Sequence, residues 1–336
     1  MEKRRKTTIN DIAREAGVSR SLVSSVLTNM QQGKKIYRVS EETTLKVQKI
    51  MDLHDYRPSY SARALRSGNN RIIGVVLSDI SNRFFAVVSR SVEECAREHG
   101  YMVMFGNTDD NPDNLAAVLD LFYEKDVSGL IVVPCVGSEE AILRYRNKGL
   151  PTVLLERDFP GSGLSSVLLD NRKASAQLTG SLLKDGHKKV EFVSYDTTMQ
   201  TILEREKGYK DEMVQHGLDN SIRVHKPRYC NYDDIQALIL DAISRKVEAL
   251  VFATYRMALL GRQATLRNSI TAPCAFACFN NADTFDIYEK SMYYVKQPIE
   301  DFARYSVELL VGELEGAQKE EGGTKIVLPP QIEKTQ

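Results

Sequence analysis

Beyond residue 71 the chain repeats one pattern: a short run of consecutive apolar residues, a stretch long enough for a helix, then another run. The runs fall at 72–77, 101–105, 130–133 and 152–155, again at 190–193, 222–224, 249–252 and 275–279, and last at 325–328. Most are apolar at consecutive positions rather than at every second residue, with single interruptions such as Glu191 and Arg223. Strands of that kind must be covered on both faces, which implies a parallel sheet with helices above and below. The grouping points to an α/β body at 71–336 made of two doubly wound parallel-sheet lobes. The first lobe is expected at about 71–168 and 298–325, the second at about 169–297 and 326–336. In open α/β sheets a ligand settles beyond the carboxyl ends of the strands, so two facing lobes would trap one in the cleft between them.

The residues ahead of this body carry a different charge. Of the 45 Lys and Arg and the 45 Asp and Glu in the chain, the first 71 residues hold 15 and 7, so a basic head is joined to an acidic body. A polyanion partner at the head follows. There Thr8 and Asp11 form a T-x-x-D pattern that caps a helix over 9–16, Gly17 supplies a turn, and Ser19 caps a second, short helix. On a helical wheel Leu22, Val23, Val26 and Leu27 share the face that packs on Ile9, Ile12 and Ala16, leaving Arg20, Ser21, Ser24 and Ser25 outward. A small all-α helix-turn-helix head with an arginine at the start of its second helix is built to reach base edges in the major groove of double-stranded DNA. Arg20 against guanine is the expected readout, with a phosphate contact as the other role open to it. A third helix starts at the cap Ser40 with Glu41 and Glu42 in its first turn, and Leu45, Ile50, Met51 and Leu53 supply its apolar positions. The DNA-binding domain is expected at 1–57.

From Tyr56 the chain reads Tyr56-Arg57-Pro58-Ser59-Tyr60-Ser61-Ala62-Arg63-Ala64-Leu65-Arg66-Ser67-Gly68. Pro58 fits the first turn of a helix and Gly68 its end. The segment between is far below the roughly 12–15 residues at which an isolated helix becomes stable, so it would fold only when supported. It is expected to be a hinge over 58–70.

Head, hinge and body together resemble the lactose-repressor/galactose-repressor family of bacterial transcription regulators over nearly the whole chain, which implies that the two doubly wound lobes are of periplasmic-binding-protein type. The resemblance implies a homodimer on a palindromic operator, with paired hinge helices placing Leu65 as a wedge in the minor groove and Ser61, Ala62, Arg63 and Arg66 beside it. By its residue type alone Leu65 would be a packing residue. The head departs from the family at Ser25, where many members have Arg, and between Thr28 and Val39, where the connection is longer than usual. Asn29, Lys34, Lys35 and Tyr37 of that connection join Thr8 and Ser19 among the DNA-contact candidates. Lys34, Lys35 and Arg38 suit phosphates, the alternative being a solvated loop.

In the body, residues just after strand ends become the pocket candidates: Asp79, Arg83, Phe84, Asp109, Glu156, Thr254, Tyr255 and Asn280. The resemblance adds Arg205. Sugar-responsive relatives offer carboxylates where this chain has Thr254-Tyr255 and Asn280, and a proline where it has Arg83. Losing acceptors for vicinal hydroxyls and gaining a cation and a phenol favours an anionic or aromatic effector, a phosphorylated sugar or a carboxylate, over a neutral polyol. The rival is a pocket that senses nothing.

The expected function is that of a sequence-specific transcription regulator, a repressor controlled by a small molecule in the cleft. A stand-alone small-molecule binding protein is the alternative, but it would need an export signal and have no use for the head. An α/β enzyme would need a paired base and nucleophile, which no strand end offers. The five cysteines form no C-x-x-C pair, and no H-E-x-x-H, G-x-x-x-x-G-K-[ST] or G-x-S-x-G occurs, so neither a metal nor a cofactor is expected. No run of about 18 apolar residues could span a bilayer, and the basic start leads into an amphipathic helix, which places the protein in the cytoplasm with no membrane partner. No leucine heptads follow the run at 325–328, which argues against a tetramerisation helix.

Overall fold

A computed structural model describes residues 7–32, 36–54, 56, 70–270, 274–280, 292–316 and 322–335. The chain divides into two compact units, Met1–Asn70 and Arg71–Gln336.

The head holds α1 (Ile9–Ala16), α2 (Arg20–Gln32) and α3 (Glu41–Leu53). Thr8 and Asp11 cap α1 reciprocally, each side chain on the other's backbone amide, and Gly17 closes it at φ 65°, a left-handed conformation that glycine adopts without strain. Ser19 Oγ accepts from Leu22 N and Ser40 Oγ from Thr43 N, each at 3.2 Å. Ile12, Ala16, Val23, Val26, Leu27, Val47 and Met51 form the buried core. Two expectations change. Helix α2 runs on to Gln32, so part of the long connection is helical rather than loop; Met30-Gln31-Gln32 are good helix formers. In α3 the core positions are Val47 and Met51, while Leu45 and Leu53, expected inside, are 67% and 75% exposed.

The first lobe of the body contains β1 (Ile72–Leu77), β2 (Met102–Asn107), β3 (Gly129–Val132), β4 (Thr152–Leu155), β5 (Ser165–Leu169) and β11 (Lys325–Leu328), in the order β11-β5-β4-β3-β1-β2. Helices α4 (Arg83–Glu98) and α11 (Ile299–Leu314) pack together over one face, and α5 (Pro112–Glu124) and α6 (Glu139–Asn147) over the other. The second lobe contains β6 (Val190–Val193), β7 (Val224–His225), β8 (Ala249–Phe252), β9 (Ala275–Phe279), β10 (Tyr293–Lys296) and β12 (Gln331–Lys334), ordered β12-β10-β9-β8-β6-β7. It is covered by α7 (Asn171–Lys184) with α8 (Gln200–Gln215) and by α9 (Tyr232–Ser244) with α10 (Tyr255–Arg267). One apolar cluster runs from Val75 and Phe302 in the first lobe to Phe192 and Tyr209 in the second, so the lobes share a core at their junction.

The chain crosses between lobes after β5, after β10 and after β11. The last crossing lies at Pro329-Pro330, so residues 326–328 belong to the first lobe's sheet and not, as expected, to the second. The polar end after that point is also not a tail: β12 pairs antiparallel with β10, Ile332 opposite Val295. Strand β5 was missed because it opens on Ser165-Ser166. Both serines are buried, and Ser165 Oγ accepts from Thr324 N at 3.2 Å.

Candidate ligand cleft and nucleic-acid interface

In the head, the first two residues of α2, Arg20 and Ser21, are exposed, and Ser24 and Ser25 are half-buried on the following turn. The Ser25 hydroxyl has a local role, its Oγ donating to Ser21 O at 3.1 Å, and the backbone carbonyl of Ser24 accepts from Thr28 Oγ1 at 2.9 Å. Thr8 and Ser19 are both exposed and both occupied as helix caps. Asn29 departs from expectation. Its Oδ1 accepts from the amides of Ile36 and Tyr37 at 2.9 Å and its Nδ2 donates to Tyr37 O at 2.8 Å, so its carboxamide clamps the connection to α3 rather than standing free for DNA. Tyr37 itself is 46% exposed. Lys34, Lys35, Ser61, Ala62, Arg63, Leu65, Arg66 and the hinge lie outside the described residues.

In the body, a cavity of about 530 Å³ lies between the lobes at the carboxyl ends of their strands. It gathers Asp79, Phe84, Asp109, Glu156, Arg205, Thr254, Tyr255 and Asn280 from the expected set. Arg83 is not among them. As the first residue of α4, behind the cap Asn82, it faces a neighbouring cavity of about 220 Å³.

Glu156 follows β4, in left-handed backbone at φ 68°, and its side chain is 8% exposed. Asp109, Asp110 and Asn280 also lie at positive φ, so four non-glycine residues in conformations costing about 1–3 kcal/mol converge on this cleft. Arg157 Nε donates to Glu156 Oε2 at 3.0 Å, and its Nη1 reaches Asp110 Oδ1 at 2.5 Å and Pro134 O at 3.0 Å. Arg205 comes from α8 in the other lobe. Its helix lies hard against α7, because Gly208 has no side chain: a Cβ there would stand 2.0 Å from Arg172 O. That approach lets Arg205 Nε donate to Asn171 Oδ1 at 2.7 Å, while Nη1 donates to Ala253 O at 2.8 Å and the guanidinium lies 3.9 Å from the centroid of the Phe279 ring. Arg205 Nη2 stands 3.5 Å from Glu156 Oε1, a charge pair across the cleft.

At Glu156, Arg205 and Tyr195 burial outweighs the neighbouring charges, whereas at Arg157 the carboxylates of Glu156 and Asp110 prevail and hold the guanidinium above its usual range. Burial pushes the Glu156 carboxyl up against the pull of Arg157 and Arg205, and it lowers Arg205 to about 10 against the pull of Glu156. Tyr195, whose ring lies tilted at 44° to that of Tyr229 with centroids 4.5 Å apart, is pushed up to about 12 by burial, with the two arginines opposing. Three polar atoms on the cavity wall, Ser78 Oγ, Thr254 Oγ1 and Gln297 Oε1, have no hydrogen-bond partner among the described residues. Two further contacts bridge the lobes: Arg256 Nη1 to Asp79 Oδ2 at 2.5 Å, and Arg83 N donating to Tyr255 Oη at 3.3 Å. Asp110, Tyr195, Tyr229, Arg256 and Gln297 were not anticipated. Tyr195 stands two residues beyond β6, where the strand-end rule would have found it.

Residues 70–281 match the model for periplasmic binding proteins and the sugar binding domain of the LacI family, and residues 8–59 match that for bacterial regulatory proteins of the lacI family. The chain is 27% identical to catabolite control protein A of Staphylococcus xylosus over 328 residues, 97% of each chain. It is 29% identical to the fructose operon regulatory protein of Vibrio cholerae over 216 residues, 64% of this chain and 65% of that protein. Among solved structures, the lac repressor dimer bound to operator and the anti-inducer ONPF superposes with a TM-score of 0.81 at 16% identity, over 98% of this chain and 99% of that one. The Cra transcriptional dual regulator of Pseudomonas putida in complex with fructose 1-phosphate gives 0.70 at 23% identity, over 79% and 98%. With a helix-turn-helix head and a two-lobed body that both match, the chain belongs to the lacI family of bacterial regulatory proteins and is a DNA-binding transcription regulator.

Proposed function

We propose that this regulator is a cytoplasmic repressor that binds a roughly palindromic operator as a homodimer, without catalytic activity, and that an acidic, hydroxyl-bearing small molecule in the interlobe cleft controls it. The observation that carries the effector class is the meeting of Arg157 and Arg205, from opposite lobes, on one buried carboxylate, Glu156. That carboxylate orders both guanidiniums. Arg157 Nη2 remains without a hydrogen bond among the described residues and Arg205 Nη2 with only a 3.5 Å partner, so an acidic ligand group has two donors to accept from. Gln297 Oε1 is a pure acceptor and calls for a ligand hydroxyl; Ser78 and Thr254 suit the same chemistry. A sugar phosphate or sugar acid meets both demands, and the relative solved with fructose 1-phosphate fits that reading.

Control follows from where such a ligand sits. Bound between lobes, it favours one interlobe angle, and the hinges at 58–70, which fold only when supported, convert that preference into a change in operator affinity. In this reading Arg20 and Ser21 read bases from the start of α2, Ser24, Ser25, Lys34 and Lys35 face the duplex, Asn29 positions the loop, and Leu65 is the wedge. The test is a thermal-shift comparison of sugar phosphates and sugar acids with their neutral parents, on the wild type and on Arg157→Ala. A rise confined to acidic compounds and lost in the variant is expected. Equal rises with neutral sugars would remove the acidic group from the assignment, and no rise with any compound would favour a cleft that senses nothing.

A further inference from the structure

A second and larger cavity, about 790 Å³, opens beside the cleft. Like the first it is made by both lobes: the segment 134–137, helix α6 and residues 157–160 supply one side, and residues 198–201 at the start of α8 supply the other. The two cavities have Val136, Arg157 and Met199 in common, so they are neighbouring chambers separated only by those side chains. Both have charged residues on their walls, Glu139, Glu140, Arg144 and Asp158 among those of the outer one. The inner chamber is set apart by its unpartnered polar atoms. The outer one adds an apolar face of Pro134, Val136, Leu143, Phe159, Pro160 and Met199.

The outer wall also carries an unmet polar demand. Thr201, in the first turn of α8, is 8% exposed, and its hydroxyl has no partner among the described residues. The same turn has no side-chain cap, since α8 begins behind Met199, whose carbonyl takes the amides of Ile202 and Leu203 at 3.1 Å, so no side chain of the turn answers the amides ahead of them. Val136, at the junction of the two chambers, is 51% exposed, an apolar side chain left open to whatever passes it.

We infer that the effector is a two-part molecule, with an acidic, hydroxylated head in the inner chamber and a flat apolar group, bearing a hydrogen-bond acceptor at its far end, in the outer one. This rests on the cleft being the effector site, as proposed above, and adds the chemistry of the ligand's other half. Arg157 is the dividing post: it is pinned by Glu156, Asp110 and Pro134 O on one side and borders the apolar wall on the other. A ligand that fills both chambers touches each lobe twice, on either side of that post, and so fixes the interlobe angle more firmly than a head alone.

The probes are 4-nitrophenyl phosphate, which has an acidic head and a flat apolar ring ending in an acceptor, and methyl phosphate, which has the head only. Binding to the full chain is measured by titration calorimetry, for the wild type and for Leu143→Asp and Phe159→Asp. The expected result is at least tenfold tighter binding of 4-nitrophenyl phosphate, a gain lost in either variant while methyl phosphate stays within twofold, which also reports that the variants are folded. Equal affinities for the two probes, or a gain that survives both substitutions, would overturn the outer chamber and leave the cleft assignment standing. If neither probe binds the wild type, both assignments fall.

Discussion

Arg20 is exposed because of its neighbours: Val23, Val26 and Leu27 turn the other face of α2 into the core, and Ser19 fixes where the helix starts. Those residue types and spacings were legible, and they place the guanidinium at the helix start. Arg20→Ala should weaken operator binding and relax preference at one base pair per half-site by about 1–3 kcal/mol, measured by competition binding over single-base operator variants. A uniform loss across all variants would instead mark a phosphate contact. Asn29 has a second role for a definite reason. Its residue type fits DNA recognition, and only the folded loop, returning to it seven and eight residues later, engages its Oδ1 and one Nδ2 hydrogen. The cleft divides the same way. Asp79, Glu156 and Asn280 follow strand ends and could be listed in advance, whereas the pairing of Asp79 with Arg256, 177 residues on, depends on how two lobes face each other and leaves no local trace.

At the scale of elements, the buried strands announced themselves through unbroken apolar runs, and the helices through caps. What escaped were elements whose polar residues are satisfied from far away. Ser165-Ser166 opens β5 only because Thr324 answers it, and β12 is read as a strand only beside β10, where Glu333 accepts from Tyr294 Oη at 2.6 Å and from Lys296 Nζ at 2.8 Å. Strand β6 carries the sharpest case. Glu191 is 1% exposed, yet it accepts from Arg245 Nη2 at 2.8 Å and lies 2.6 Å from His225 Nε2. Burial raises its carboxyl, but the hydrogen bonds from Arg245 and His225 outweigh that and hold it below the usual carboxylate range. A lowered carboxyl stabilises the fold above the unfolded-state value of about 4.3 and ceases to do so as pH falls through the folded value. The wild type should therefore lose more Tm between pH 7 and pH 4 than Glu191→Gln, which starts lower at pH 7. Parallel pH profiles in differential scanning calorimetry would assign the acid sensitivity elsewhere.

For the body as a whole, the two lobes touch through a shared apolar cluster and through a few polar bridges at the cleft. The Arg256–Asp79 pair is part-exposed, with side chains at 38% and 24%, so it is worth roughly 0.2–1 kcal/mol. Arg256→Ala should accordingly open the cleft slightly, seen as a larger radius of gyration in small-angle scattering, and should shift operator affinity by no more than about fivefold. Since coupling between sites is reciprocal, an effector that binds the wild type should change the operator affinity of the variant by a correspondingly altered factor. A scattering profile identical to the wild type's would mean that the apolar junction alone sets the angle.

The edge strands β11 and β12 complete both sheets from residues 325–334. During synthesis each lobe has one rim bare, β5 in one and β10 in the other, until residues 325–334 have been made. A message broken shortly before their codons would yield two incomplete sheets with unpaired backbone amides along their borders, a product suited to sticking to its own kind rather than to partial activity.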